Sequence, residues 1–322
     1  MSREWKVTFD GGFWSDEGPG AREIPIGKAF SWGENTVYIP AAYVCEQGLI
    51  LDIFLEFDLE RETAFLEKWL PRLKEAEQSD RLRRQLEREN PMQEDYNAEV
   101  TVNGSKLWHV RGSGIGWIPS ELLTEGERIP QQAAKVLEHY GMDQHKVWGL
   151  RRECFEWAEK GIPEIKSMEL TLRQRQKEFS GDVFSMPKVG ENAVLYHPLT
   201  GKAHVLTVTE IQYERLSLPK QMQGSQPENA VFLSFNLEPN LPREKFRSQD
   251  VSENDLPRGK GNAASIGIIG GADGPTSIFY STPDGPEVHH AVSAMHFEYP
   301  EEIQWEPVFR EKIVEDISVI LI

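Results

Sequence analysis

The tightest constraint on this chain is a dipeptide, Asn103-Gly104, set between two short β-prone runs at 98–102 and 106–110. Asn-Gly supplies the left-handed backbone that a two-residue hairpin turn demands, so the two runs are expected to pair antiparallel. The same grammar recurs along the chain. Trp5, Val7 and Phe9 alternate with polar residues, the period of a strand with one buried face, and Asp10-Gly11-Gly12 follows as a turn. Residues 36–40 and 49–58 read as strands on either side of the turn Glu46-Gln47-Gly48. Met168, Leu170 and Leu172 alternate in the same way, as do residues 205–210. Shorter strands are expected at 230–237, 295–297, 303–305 and 317–322, the last of them buried. Residues 147–157 fit strand or helix, with a strand favoured at their start.

Helical signals interrupt this pattern. Asp58 has the chemistry of an N-cap, and Glu60 and Glu62 fall in the first turn, where the helix dipole favours negative charge. Phe65, Leu66, Trp69, Leu70 and Leu73 share a face, but Pro71 lacks an amide hydrogen and predicts a kink or restart. Residues 72–89 then carry charge on almost every side, with Leu73, Leu82 and Leu86 as a thin apolar stripe; such an arm is either solvated or a docking site for a protein partner. Asn90-Pro91 ends it. A second helix is expected over 129–140, with Pro130 in its first turn and Gly141 just past its end.

Gly-Glu-Asn occurs at 33–35 and again at 190–192, each time followed by β-prone residues, a proline, a turn and an alternating strand. This predicts an ancient duplication. The expected fold is α+β, predominantly antiparallel β. It consists of two β-rich, sandwich-like domains, 1–162 and 163–322, with a helical arm at 59–90 inserted in the first.

A chain of 322 residues is long enough for two such domains, and nine Trp and fifteen Phe supply their cores. The formal charge of −17 repels phosphate backbones and anionic lipid, which excludes nucleic acid and membrane surfaces as partners. No run approaches the roughly 20 apolar residues of a spanning helix. The first residues lack the apolar core of a signal peptide, and Cys45 and Cys154 lie far apart in sequence; a cytoplasmic protein with free thiols is expected.

Motifs of catalysis are missing from the sequence: there is no Gly-x-Ser-x-Gly, no Cys-x-x-Cys, no His-Glu-x-x-His and no phosphate loop, and no cofactor is implied. Gly112, Gly114 and Gly116 lack an enclosing strand-loop-helix unit and read as a plain loop. Trp14, Trp32, Trp108 and Trp117 lie in or beside loops and suit either an aromatic platform for a sugar or peptide or, as is commoner in β-rich proteins, core filling and edge cover. His197 and His204 flank a turn at 198–201 as an expected surface pair. His289, His290 and His296, with Asp284 nearby, are the densest histidine cluster and the candidate metal ligands, although neighbours on a strand point to opposite faces, so at most one of His289 and His290 can join a shared site.

Residues 264–281, Ala-Ser-Ile-Gly-Ile-Ile-Gly-Gly-Ala-Asp-Gly-Pro-Thr-Ser-Ile-Phe-Tyr-Ser, closely resemble the Asp-Gly-Pro motif of the membrane-embedded beta subunit of sodium-translocating decarboxylases such as oxaloacetate decarboxylase. In that family the motif sits in a broken part of the membrane domain, and its aspartate, matched by Asp273, takes part in sodium binding. The resemblance implies a ligand site at Gly270, Gly271, Asp273, Gly274 and Thr276. It covers this segment alone, and the many apolar helices of such a subunit have no counterpart, so the chain is not the pump. In water the same residues read as strands at 265–269 and 276–281 joined by a turn in which Asp273 caps its own backbone. Function is thus expected to be that of a non-catalytic binding or accessory protein, the alternative being a carboxylate- or cation-binding protein or enzyme tied to decarboxylase metabolism through Asp273.

Overall fold

The computed structural model describes residues 5–76, 79–93, 95–123, 131–185, 188–258 and 288–322. The motif at 264–281, with Gly270, Gly271, Asp273, Gly274 and Thr276 and the two strands expected around them, lies outside the described residues.

The chain divides into two compact units, one of residues 1–73, 89–176 and 312–322, the other of residues 74–88 and 177–311. In chain order come β1 (Arg22–Trp32), β2 (Asn35–Val44), β3 (Gly48–Phe57), α1 (Leu59–Trp69), α2 (Leu73–Ala76), α3 (Asp80–Glu89), β4 (Tyr96–Val102), β5 (Ser105–Lys106), β6 (Trp108–Trp117), α4 (Gln131–Tyr140), β7 (Val147–Glu156) and β8 (Met168–Gln174). There follow β9 (Lys177–Ser180), β10 (Phe184–Ser185), β11 (Asn192–Tyr196), β12 (Ala203–Arg215), β13 (Asn229–Glu238), β14 (Phe246–Asp250), β15 (His289–Val292), β16 (Gln304–Glu311) and β17 (Ile317–Ile320).

The architecture is β-rich and antiparallel throughout. The first unit stacks a sheet of order β1-β2-β3-β7-β6 on one of order β17-β8-β4-β5. Alternation explains the packing: Leu49, Leu51 and Ile53 from β3 meet Val100 from β4 and Leu170 and Leu172 from β8 in one apolar core. The opposite face of the five-stranded sheet is covered by α4, through Ala133, Val136 and Leu137, and by the chain from Trp5 to Phe13. The second unit pairs a sheet of order β11-β12-β13-β15 with one built on β10-β16-β14, and β9 also pairs with β16.

Each unit follows one strand path. A three-stranded meander (β1-β2-β3; β11-β12-β13) crosses to the other sheet (β4; β14), returns beside its third strand (β7; β15) and crosses again to pair with the strand it left there (β8 on β4; β16 on β14). The Gly-Glu-Asn echo does not mark this recurrence. Gly33-Glu34 turns β1 into β2, whereas Gly190-Glu191 leads into β11, the counterpart of β1, so the two copies sit one strand out of step.

Several local expectations hold. Asn103 and Gly104 take φ of 51° and 80° and place Val102 opposite Ser105, but the ladder expected over 106–110 stops at Lys106, and the strand from Trp108 pairs with β7 instead. Asp58 caps α1, its carboxylate accepting from the Arg61 amide at 2.8 Å, and α1 stops at Trp69, two residues before Pro71. Among the described residues no helix is long and apolar enough to cross a membrane.

Other expectations are corrected. Residues 5–9 form no strand: Thr8 is as buried as Val7, both 2% exposed, because the segment is enclosed on both sides instead of presenting one face. Met168 to Gln174 pairs with β4 and β17, which moves the boundary expected at 162 to 176. The final strand is an edge, with Ile320 68% exposed. Residues 74–88 of the arm belong to the second unit, where Arg88 on α3 meets Glu306 at 2.9 Å and Glu178 at 3.5 Å. Gly112, Gly114 and Gly116 lie in strand β6, not in a loop.

Candidate functional site

Strand β6 ends the five-stranded sheet, and among the described residues no strand pairs with its outer edge. Its inner edge is zipped to β7, with Arg111 opposite Cys154, Gly112 opposite Glu153, Gly114 opposite Arg151 and Gly116 opposite Gly149. A register shift between His109 and Arg111 marks a bulge at Val110, which puts His109 and the three glycines on the face turned to the other sheet.

The glycines are explained by what comes over them from behind. A Cβ on Gly112 would stand 2.2 Å from Glu153 Oε2, and one on Gly116 would stand 3.0 Å from Met92 Cε. Gly114 differs: its nearest neighbours, Leu150 O and Arg151 Cγ, would be 3.8 and 3.9 Å away, so there the strand carries a vacant notch.

Glu153, 1% exposed, is the one buried carboxylate at this edge. It accepts from His109 Nε2 at 2.6 Å and lies 2.6 Å from Arg151 Nη2. The Arg151 guanidinium in turn stacks 4.2 Å from the centre of the Tyr96 ring, whose hydroxyl is pushed up by burial and stays protonated. Outside this cluster the edge is open: Trp108 is 74% and Val110 40% exposed, and Gly112, Gly114 and Gly116 are all exposed. Arg111 projects from the α4 side and pairs with Asp10.

A second charged group lies deeper, between the sheet and α4. Arg152 holds Asp52 through two bonds of 2.7 Å and donates to Gly12 O at 2.8 Å; Tyr140 donates to Asp52 at 2.7 Å, and Trp5 Nε1 donates to the Tyr43 hydroxyl at 3.0 Å, which itself bonds Tyr140. Burial and the Asp52 charge hold both tyrosines protonated. The network is closed on itself and acts as a scaffold.

The histidines of the sequence reading are dispersed. His289 stacks on Phe235, His290 bonds Ser234 from the opposite face, and His296 bridges to Asn229 beside Asp255. Strand alternation separates the first two, and among the described residues no group of three or more His, Cys, Asp or Glu is placed to hold a metal ion. His197 and His204 are not a surface pair: both are buried, at 4% and 1% exposure, against Phe309. Of the four tryptophans near loops, Trp32 and Trp117 are buried and Trp14 and Trp108 are exposed. Cys45 and Cys154 are buried thiols, and burial pushes Cys154 up to about 12. A shallow depression of about 240 Å³ is lined by Glu46, Glu156, Glu159 and Lys160 among others, an open acidic rim with no enclosed group.

His109 and Glu153 carry no signal in the sequence, because nothing in the local pattern says that residues so far apart share an edge. The glycines at every second position were the available clue. No family model, curated protein or solved structure matches the chain.

Proposed function

We propose that this protein is a non-catalytic binding protein that captures an extended segment of another protein as an added strand on β6. The observation that supports this reading is the edge itself: ten residues of strand with an exposed outer side, an uncovered position at Gly114 where another backbone can approach, and exposed apolar groups at Trp108 and Val110. Unpaired edge amides and carbonyls template strand addition, and soluble proteins ordinarily blunt such an edge with charge or proline. Here the bulge at Val110 interrupts the edge, but beyond it only small residues separate Arg111 from Ile115. The arm at 72–89 then serves its own chain through Arg88, and the partner contact falls to β6. Two buried thiols suit a reducing compartment, and the cytoplasm is the proposed location.

Selection of a displayed library of random twelve-residue peptides against the full chain tests the proposal. Bound peptides should be β-prone, and hydrogen exchange should slow at 108–117 on binding. Protection confined to another region, or no binder at all, would overturn it. The Asp-Gly-Pro resemblance supports a second reading, a cation or carboxylate site at Asp273. A rise in melting temperature with sodium or oxaloacetate in wild type, lost in Asp273→Asn, would favour that reading instead.

A further inference from the structure

Resting on the strand-capture reading, we infer that the captured segment carries a bulky apolar residue followed three positions later by a carboxylate, and that it adds antiparallel to β6. Two features of the edge carry this. The notch over Gly114 is the place on the sandwich-side face where a neighbouring strand finds backbone uncovered, since the Glu153 carboxylate occupies the space over Gly112 and Met92 that over Gly116. The Arg151 stem borders it beside the Leu150 carbonyl oxygen, so an aromatic or large aliphatic side chain laid across Gly114 covers the methylenes of Arg151 and buries area that the strand cannot bury by itself.

Charge supplies the second position. In a chain of formal charge −17, β6 carries two basic side chains, His109 and Arg111, and no acidic one. His109 is committed to Glu153. Arg111 is paired with Asp10 on the opposite, α4-side face, where both side chains are exposed, at 46% and 62%. A pair so exposed is worth little and exchanges readily, so an incoming carboxylate opposite Arg111 can take Asp10's place. Every pairing among the described strands is antiparallel, and in an addition of that sense the residue opposite position 114 precedes the residue opposite position 111 by three; the odd spacing puts the two side chains on opposite faces, as the notch and Arg111 require.

The probe is a nine-residue synthetic peptide with the core Phe-Thr-Val-Glu, flanked by threonine and valine and labelled for anisotropy against the full chain. Replacing its Glu by Lys should weaken binding about fivefold, and replacing its Phe by Ala by about the same factor. Arg111→Glu, a change at an exposed position that leaves the core intact, should reverse the preference between the Glu and Lys peptides. Gly114→Val should abolish the preference for Phe over Ala. Equal affinity of all the peptides, with slowed exchange still at 108–117, would overturn this inference and leave strand capture standing. Absence of protection at 108–117 with every peptide would remove both.

Discussion

Between the sheets of the first unit lie Val37, Ile39, Leu51, Val100 and Leu170, a mostly apolar filling that admits charge at the β6 edge, where Glu153 and Arg151 lie; the matching space in the second holds Phe235, Phe246 and Phe309 with His197, His204 and His289 against them. The strand path is the same in both. In the first unit a second buried ion pair lies on the outer side of the sheet, where Asp52 and Arg152 sit under α4. In the second, polar atoms remain inside and two of them are matched by backbone: His197 Nδ1 accepts from the Leu199 amide at 3.2 Å, and His204 Nδ1 donates to Pro239 O at 2.7 Å. The contrast teaches that pairing and alternation set the path, while the chemistry between the sheets can vary.

The largest effect is expected where charge is deepest. Asp52→Leu leaves the Arg152 guanidinium, 3% exposed, without its counter-charge, and should cost about 3–5 kcal/mol in urea unfolding. Arg152→Met should cost a similar amount, and the double variant much less than the two added. Simple additivity would show that the pair is not coupled and that the first unit is less dependent on its buried charge than its geometry indicates.

A smaller effect belongs to Glu62 on α1, 1% exposed, whose Oε2 has no hydrogen-bond partner. Burial pushes its carboxyl up to about 7. The folded chain therefore holds a proton that the unfolded chain releases near the ordinary value of 4.5; the stability this gives is complete below 4.5 and is lost as pH rises through 7. Glu62→Gln should match wild type at about pH 4 and exceed it by about 1 kcal/mol at about pH 8. An unchanged difference across that range would remove the unpartnered carboxyl from the account.

An effect of the same size is expected in the second unit, at the foot of the arm. Burial works to raise Glu178 and Glu306, but Arg247, Arg310 and Arg88 outweigh it at Glu178, and Arg88 leads the opposing groups at Glu306; both stay below the usual carboxylate range. Their contribution is present at neutral pH and fades as pH falls through that lowered range. Arg88→Ala should cost about 1 kcal/mol at about pH 7 and converge on wild type near pH 3. No loss at neutral pH would mean that α3 is held by something other than Arg88.

The local turns and caps were legible because their causes are local: Asn103-Gly104, Asp58 and Pro71 each act within a few residues. Pairing partners were not. Trp5, Val7 and Phe9 alternate like a strand, yet the segment lies against Tyr43, Ile50 and Cys154 without joining a sheet. The glycines of β6 look like a loop by composition, and only the arrival of Glu153 and Met92 from distant segments explains why two of the three are small. The cluster of His109, Glu153, Arg151 and Tyr96 was illegible for the same reason: it is assembled by the register of β6 on β7, which no short-range pattern specifies.

The return of β17 to the first unit has a consequence in time. Ile317 to Ile320 pairs with β8, the Gln174 side chain accepts from the Ile313 and Val314 amides at 2.9 Å, and the Glu315 carbonyl accepts from Trp32 at 2.8 Å. A chain emerging from the ribosome has by then completed every strand of the second unit, so the unit begun first is finished last. Domains normally close in order of synthesis. Here the edge of β8 stays bare during translation until residues 317–320 emerge, and chains stalled before residue 312 should be the ones that need a chaperone's shelter.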